Sequence, residues 1–202
     1  MKKLIFIRAG RTEWDDQERI AGDTDLDLNE QGRAEAGQSV GRLVELHPKA
    51  LFCGSDNPAR ETARIIGEAI DLKAKALDEL REMDLGHWEG LTADQFAERF
   101  PKVNKAWRDD PASVEAPDGE ALAAVEARLD EALGRIFKRK TATPIVMVLG
   151  RLAFAAARCK YTDGSREQFW EHANGEEREF TLTVPTGGLI APGPRDTGEA
   201  KP

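Results

Sequence analysis

Cysteine, histidine and aromatic side chains are all scarce in this chain of 202 residues, and each scarcity excludes something. Its two cysteines, Cys53 and Cys159, lie far apart and form no Cys-x-x-Cys pattern, which argues against a disulfide framework and for two reduced thiols in a core. The three histidines, His47, His87 and His172, stand at spacings that suit no metal site, so neither a metal nor a cofactor is expected. No apolar run approaches the ~20 residues of a membrane span, and the N-terminus carries no signal-peptide apolar segment. The expectation is a cytoplasmic protein with no membrane attachment. Basic tracts are missing as well. With 29 Lys and Arg against 37 Asp and Glu, the formal charge of −8 speaks against a nucleic-acid partner. What is present, 40% apolar and 33% charged residues, is the composition of one ordinary globular domain with a sizeable core.

Residues 3–8 hold four consecutive apolar positions, Leu4 to Ile7, and end abruptly in Arg8, Ala9 and Gly10. A buried strand that delivers a cation to a tight turn is how α/β proteins build anion sites at the carboxyl end of a sheet. This strand is expected to be central. Gly10 to Leu28 reads as a polar functional loop. A helix is predicted from Asn29, its N-cap, to about Leu46, where Pro48 stops it. Ala50–Cys53 is a second strand, and Asn57 as N-cap with Pro58 at the first helical position opens a helix to about Asp71. In that helix Ile65, Ile66, Ala69 and Ile70 are expected to face inward. Arg81 to Gly90 is a glycine-bracketed loop. Thr92 with Gln95 forms a capping box for a helix ending near Phe100. Trp107 to Pro117 reads as an irregular acidic insertion. Apolar positions from Leu122 to Phe137 step by three and four, which marks an amphipathic helix over residues 118–138. Ile145–Leu149 is an apolar strand, Gly150 a turn, Arg151–Cys159 a helix, and Glu179–Val184 an edge strand. Residues 1–184 are therefore read as one domain and 185–202 as a Pro/Gly-rich mobile tail. Alternating strands and helices imply an α/β fold, a three-layer α/β/α sandwich around a mostly parallel sheet.

Several dispersed motifs recur in a fixed order: Arg8-x-Gly10-x-Thr12, Arg19-x-x-Gly22-x-x-Asp25, Leu28-Asn29-Glu30-x-Gly32, Ser55-Asp56 through Glu61-Thr62-Ala63, Leu80-Arg81-Glu82, Gly86-x-Trp88-Glu89-Gly90 and Pro117-x-Gly119-Glu120. Together they resemble the histidine phosphatase (phosphoglycerate mutase-like) superfamily, over roughly residues 1–184. The resemblance implies a phosphoglycerate mutase-like fold and a chemistry in which one histidine attacks phosphorus. A second histidine and two arginines hold the phosphoryl oxygens, and a carboxylic acid protonates the leaving oxygen.

Role by role, the resemblance implies a degenerate pocket made of Arg8, Ala9, Asp15, Pro58, Arg60, Glu82, Leu149 and Arg151. Arg8 keeps the first arginine and Glu82 the acid. Ala9 stands where the family has its nucleophilic histidine, and its methyl group neither attacks nor carries phosphate. Asp15 puts a negative charge in place of an asparagine. The second arginine falls at Pro58 or is deleted beside it, and Arg60 substitutes only if the helix start is re-registered. Leu149 stands at the second histidine, and Arg151 puts a bulky cation where the family has glycine. No competent catalytic residue is expected. The reading is a pseudophosphatase that works by binding or regulation. Its partner is a protein that sequence does not name, or a weakly held phosphate or phosphoester. The competing reading is an active phosphoester hydrolase or mutase, with altered chemistry or with Ala9 as an engineered change. A buried Arg8 is expected to pair with Asp15 or Glu82, and Glu82 to persist as a structural acceptor for Arg8 or for loop amides. Trp14, Trp88 and Trp107 are assigned to loops around the pocket mouth and would mark a partner surface if exposed together.

Overall fold

The computed structural model describes residues 1–138, 141–163 and 165–185; all but the first residue of the expected C-terminal tail lies outside them. Among the described residues, five strands form one sheet in the order β3-β2-β4-β1-β5. They are β1 (Lys2–Arg8), β2 (Ala50–Gly54), β3 (Lys75–Leu77), β4 (Ile145–Leu149) and β5 (Glu179–Val184). The first four run parallel, and β5 lies antiparallel along the outer edge of β1. The middle strand is β4, with β1 beside it, so the expectation that β1 is central is off by one place.

Burial on both faces explains why Leu4 to Ile7 form an unbroken apolar run. Leu4 and Phe6 face one core layer, where Phe6 stacks on Phe180 at 4.5 Å between ring centroids. Ile5 and Ile7 face the other. On the Ile5 side pack α2 (Glu30–Gln38), α3 (Val40–Leu46) and α4 (Asn57–Ile70), after a one-turn α1 (Glu13–Asp16) inside the polar loop. On the Leu4 side pack α5 (Ala93–Arg99), α6 (Pro101–Asp109), α7 (Leu122–Lys138), α8 (Arg151–Arg158) and α9 (Phe169–Asn174). The result is the expected three-layer sandwich.

Several local expectations shift. The helix predicted from Asn29 to Leu46 is two helices divided at Ser39, in a stretch weakened by Gly37 and Gly41. The N-cap of α4 is Asp56, one residue before the Asn57 expected, so Pro58 sits at the second helical position. Ala69 is exposed, while Ala59, Ala63, Ile66 and Gly67 face inward. Trp107 belongs to α6 and not to an irregular insertion. The helix α9 was not expected at all.

Candidate functional site

The carboxyl ends of β1 and β4, joined in register at Arg8 and Leu149, form the floor of the site. Arg8 is 7% exposed, and its guanidinium turns toward the end of α9. Nη1 donates to the carbonyls of His172 (3.0 Å) and Ala173 (2.7 Å), and Nη2 donates to that of Gly175 (2.7 Å). The last carbonyls of a helix have no intrahelical donors and carry the negative end of its dipole. A buried cation therefore finds compensation there without a carboxylate. This corrects the expected pairing with Asp15 or Glu82. Burial, together with the charges of Arg178, Arg151 and Arg11, lowers the Arg8 pKa to about 10, while Glu35 opposes that shift.

The turn after Arg8 is fixed on all sides. Ala9 is 8% exposed, and its N–H donates to the Leu149 carbonyl at 2.7 Å. The Arg178 Nη2 donates to the Ala9 carbonyl at 2.6 Å and pairs with Glu35 at 3.0 Å. Glu35 also accepts from the Arg11 N–H at 3.1 Å. Gly10 donates to the buried Thr62 hydroxyl at 2.9 Å. A Cβ on Gly10 would lie 2.3 Å from the Gly32 carbonyl oxygen, so only glycine lets this turn close against α2.

Glu82 is fully engaged with backbone amides. Its Oε1 accepts from Met83 (2.6 Å) and Ala153 (2.8 Å), and its Oε2 accepts from Leu152 (2.7 Å). Two of those N–H groups belong to the first turn of α8, whose own N-cap, Gly150, has no side chain to offer. Glu82 caps the helix from another segment, and a Cβ at position 150 would approach its Oε2 to 2.6 Å. Of its two expected kinds of donor, amides take it and Arg8 does not. Burial outweighs these hydrogen bonds and pushes the Glu82 carboxyl up to about 7. Its segment is held from both sides. Asp56 accepts from the Glu82 N–H at 3.1 Å, and Arg128 donates to the carbonyls of Arg81 (2.6 Å) and Glu82 (3.0 Å) while paired with Glu120.

Of the remaining predicted positions, Leu149 pairs with Arg8 along the sheet and Arg151 acts on it through its charge, while Asp15 and Arg60 are held elsewhere. Asp15 Oδ2 accepts from the Thr12 N–H (2.7 Å) and hydroxyl (2.9 Å), closing the turn at the start of α1. Arg60 is about half exposed and faces Asp25 at 3.7 Å on the outer side of α4. Leu149 is fully buried. Arg151 reaches Asn174 Oδ1 at 3.3 Å near the surface. His87 faces Asp118 at 3.0 Å in solvent. Trp88 and Trp107 are buried with rings 5.6 Å apart, so they serve as packing anchors and form no exposed aromatic surface. Among the described residues no group of three or more His, Cys, Asp or Glu is placed to hold a metal, and no helix is long and apolar enough to cross a membrane.

Sequence reasoning missed Arg178, Glu35, Thr62 and Arg128. Glu61-Thr62-Ala63 was in view as a motif, and Thr62, as the buried polar residue of an otherwise apolar helix face, was the one legible signal. The arginines act on backbone carbonyls, which leave no mark in sequence.

A family model described as "Histidine phosphatase superfamily (branch 1)" matches residues 4–187. Phosphoserine phosphatase 1 of Hydrogenobacter thermophilus is 29% identical over 170 residues, covering 84% of this chain and 81% of that protein. The bifunctional protein Rv2228c of Mycobacterium tuberculosis is 34% identical over 164 residues, covering 76% of this chain; the chain spans only 44% of that relative's length. Among solved structures, a mycobacterial glucosyl-3-phosphoglycerate phosphatase, Rv2419c, in complex with VO3, superposes with a TM-score of 0.79 at 26% identity, covering 91% of each chain.

Proposed function

The chain belongs to the histidine phosphatase superfamily, and on that premise we propose that it is a pseudophosphatase, a protein of this fold that binds or regulates without turning over phosphoesters. The observation that carries the reading is the state of the Arg8–Ala9 pair. The side chain at the nucleophile's place is a methyl group, and the guanidinium beside it is spent on three carbonyls of the α9 end. The position of the general acid supports the same reading, because Glu82 is buried and shared among three amides. A general acid must reach the leaving oxygen, directly or through one water. What remains near Arg8 is a set of cations, Arg11, Arg151 and Arg178, against Glu35. They supply a weak affinity for phosphate or a phosphoester, the class of ligand that the relatives named phosphoserine phosphatase and glucosyl-3-phosphoglycerate phosphatase act on. A protein partner is the other ligand this reading admits, with the cytoplasm as its setting.

Purified protein assayed on p-nitrophenyl phosphate and phosphoserine is expected to give no rate above the buffer background. A steady rate that follows the protein through a second, orthogonal purification would overturn the reading and favour an active phosphoester hydrolase.

A further inference from the structure

An open cleft of about 370 Å³ between α2 and α4 is lined by Asp27, Arg33, Asn57, Arg60, Glu61 and Arg64. None of these residues is among the partners or charged neighbours of Arg8. The three arginines stand where the bare fold disfavours them. Arg60 and Arg64 are like charges one turn apart, in the half of α4 where the dipole favours acids, and its first turn holds no acid. Each is about half exposed and only partly engaged. Arg33 spends its Nε on Glu61 at 3.0 Å, and among the described residues its two Nη groups donate to nothing. Arg60 reaches Asn57 Oδ1 at 3.4 Å and Asp25 at 3.7 Å, and Arg64 uses Nη1 on Glu68 at 2.7 Å. The acids of the cleft have other duties. Glu61 also accepts from the Leu28 N–H at 2.8 Å, Asp27 accepts from Asn57 Nδ2 at 2.8 Å, and Asp25 accepts from the Asn57 N–H at 2.9 Å.

We propose that this cleft is a second anion site, which takes the terminal phosphoryl group of a small phosphate-bearing molecule. An arginine has five N–H donors in a rigid fork that matches oxyanions, so the donors left over here are the kind such a group needs. Arg33 comes from α2, and Arg60 and Arg64 come from successive turns of α4, so three cations approach the cleft from different places. A phosphoryl group offers each of them one of its three terminal oxygens. A planar carboxylate has two oxygens and leaves one cation unmet. The first N–H groups of α4 make no contact of their own, because Asp56 accepts from Ala59 and Asp25 accepts from Asn57. The helix contributes its positive end, and the side chains make the contacts. A bound anion relieves the repulsion between Arg60 and Arg64. The nearby acids and the exposure of the cleft hold the affinity to the order of millimolar.

Amide NMR on the intact protein tests the proposal, with inorganic phosphate titrated in against sodium chloride at constant ionic strength. The amides of Arg33, Asn57, Arg60 and Arg64 are expected to shift along one saturable curve. Arg60→Gln/Arg64→Gln should weaken that binding by about tenfold. Asp27→Asn keeps an Oδ1 for Asn57 and removes one negative charge from the cleft, so it should tighten binding about two- to threefold, a gain that a misfolded variant cannot produce. Acetate should not displace phosphate. Four results would each overturn the proposal: no saturable shift at these amides, a shift that chloride alone reproduces, displacement by equimolar acetate, or an affinity indifferent to either variant. The amides around Arg8 report separately on the weak affinity that the pseudophosphatase reading assigns there, so each site can fail without the other.

Discussion

Replacing Glu82 with alanine is expected to destabilise the protein by about 3–5 kcal/mol at pH 5.5, because three buried N–H groups lose their acceptor. For a chain of this size that is a fall in Tm of roughly 6–20 °C. The effect depends on pH, and its sign follows from the direction of the shift. Glu82 is raised from 4.5 to about 7 in the folded protein, so the fold holds the proton more tightly than the unfolded chain does. Its contribution is complete below about 4.5 and is lost as pH rises through about 7, a loss on the order of 3 kcal/mol. Asp23, raised to about 6 by burial first and the nearby Asp56 second, and Asp56, raised by burial, act in the same direction. Wild-type Tm should therefore be higher near pH 5.5 than at pH 8. Glu82→Gln, which is neutral throughout and keeps one acceptor oxygen, should flatten that slope. A wild-type Tm that climbs from pH 5.5 to pH 8 would show that the carboxylate is stabilised as an ion, as in a working polar site.

Arg8→Met separates a structural anchor from a phosphate clamp by the sign of its effect. A clamp is held for its ligand, and removing it from the company of Arg178, Arg151 and Arg11 relieves repulsion and stabilises the ligand-free protein. Here three carbonyls at the end of α9 would lose their donors, and Met fills the volume without replacing them. The expected loss is about 2–4 kcal/mol, or roughly 4–16 °C in Tm. Phosphate should shift the Tm of the variant by no less than it shifts the wild type, since on the proposed reading the remaining cations, and not Arg8, hold such a ligand. An unchanged or raised Tm with the phosphate shift abolished would return Arg8 to its family role.

Much of the architecture was legible because its causes are periodic. Four apolar residues in a row ended by Arg8 read as a doubly covered strand, and the three-and-four stepping from Leu122 to Phe137 read as α7. Motif order points to a candidate site at the end of β1, but the geometry around Arg8 was not legible. Asp56 and Asn57 are equally good caps by residue type. What decides between them is a second duty of Asp56, accepting the Glu82 N–H from a segment 26 residues away. α9 is a six-residue helix in polar surroundings, too short for periodicity to register. Without α9, the counter-charges that the sequence offers Arg8 are the carboxylates Asp15 and Glu82. The compensation comes from backbone carbonyls, a partner that every sequence contains and none displays. The same reason hid Arg128 and Arg178.

Placing a histidine at position 9 addresses the central claim most directly. If Ala9 were the one defect in an otherwise working site, Ala9→His would recover something on the order of the 10⁶-fold that loss of a nucleophile removes. The geometry of the pocket predicts otherwise, because Arg8 is held by α9, Leu149 is apolar and Glu82 is shared among amides. Steady-state hydrolysis of p-nitrophenyl phosphate by folded Ala9→His protein should remain at the buffer background, alongside the wild type. Robust turnover by that single variant, with formation of a phosphohistidine at position 9, would contradict it.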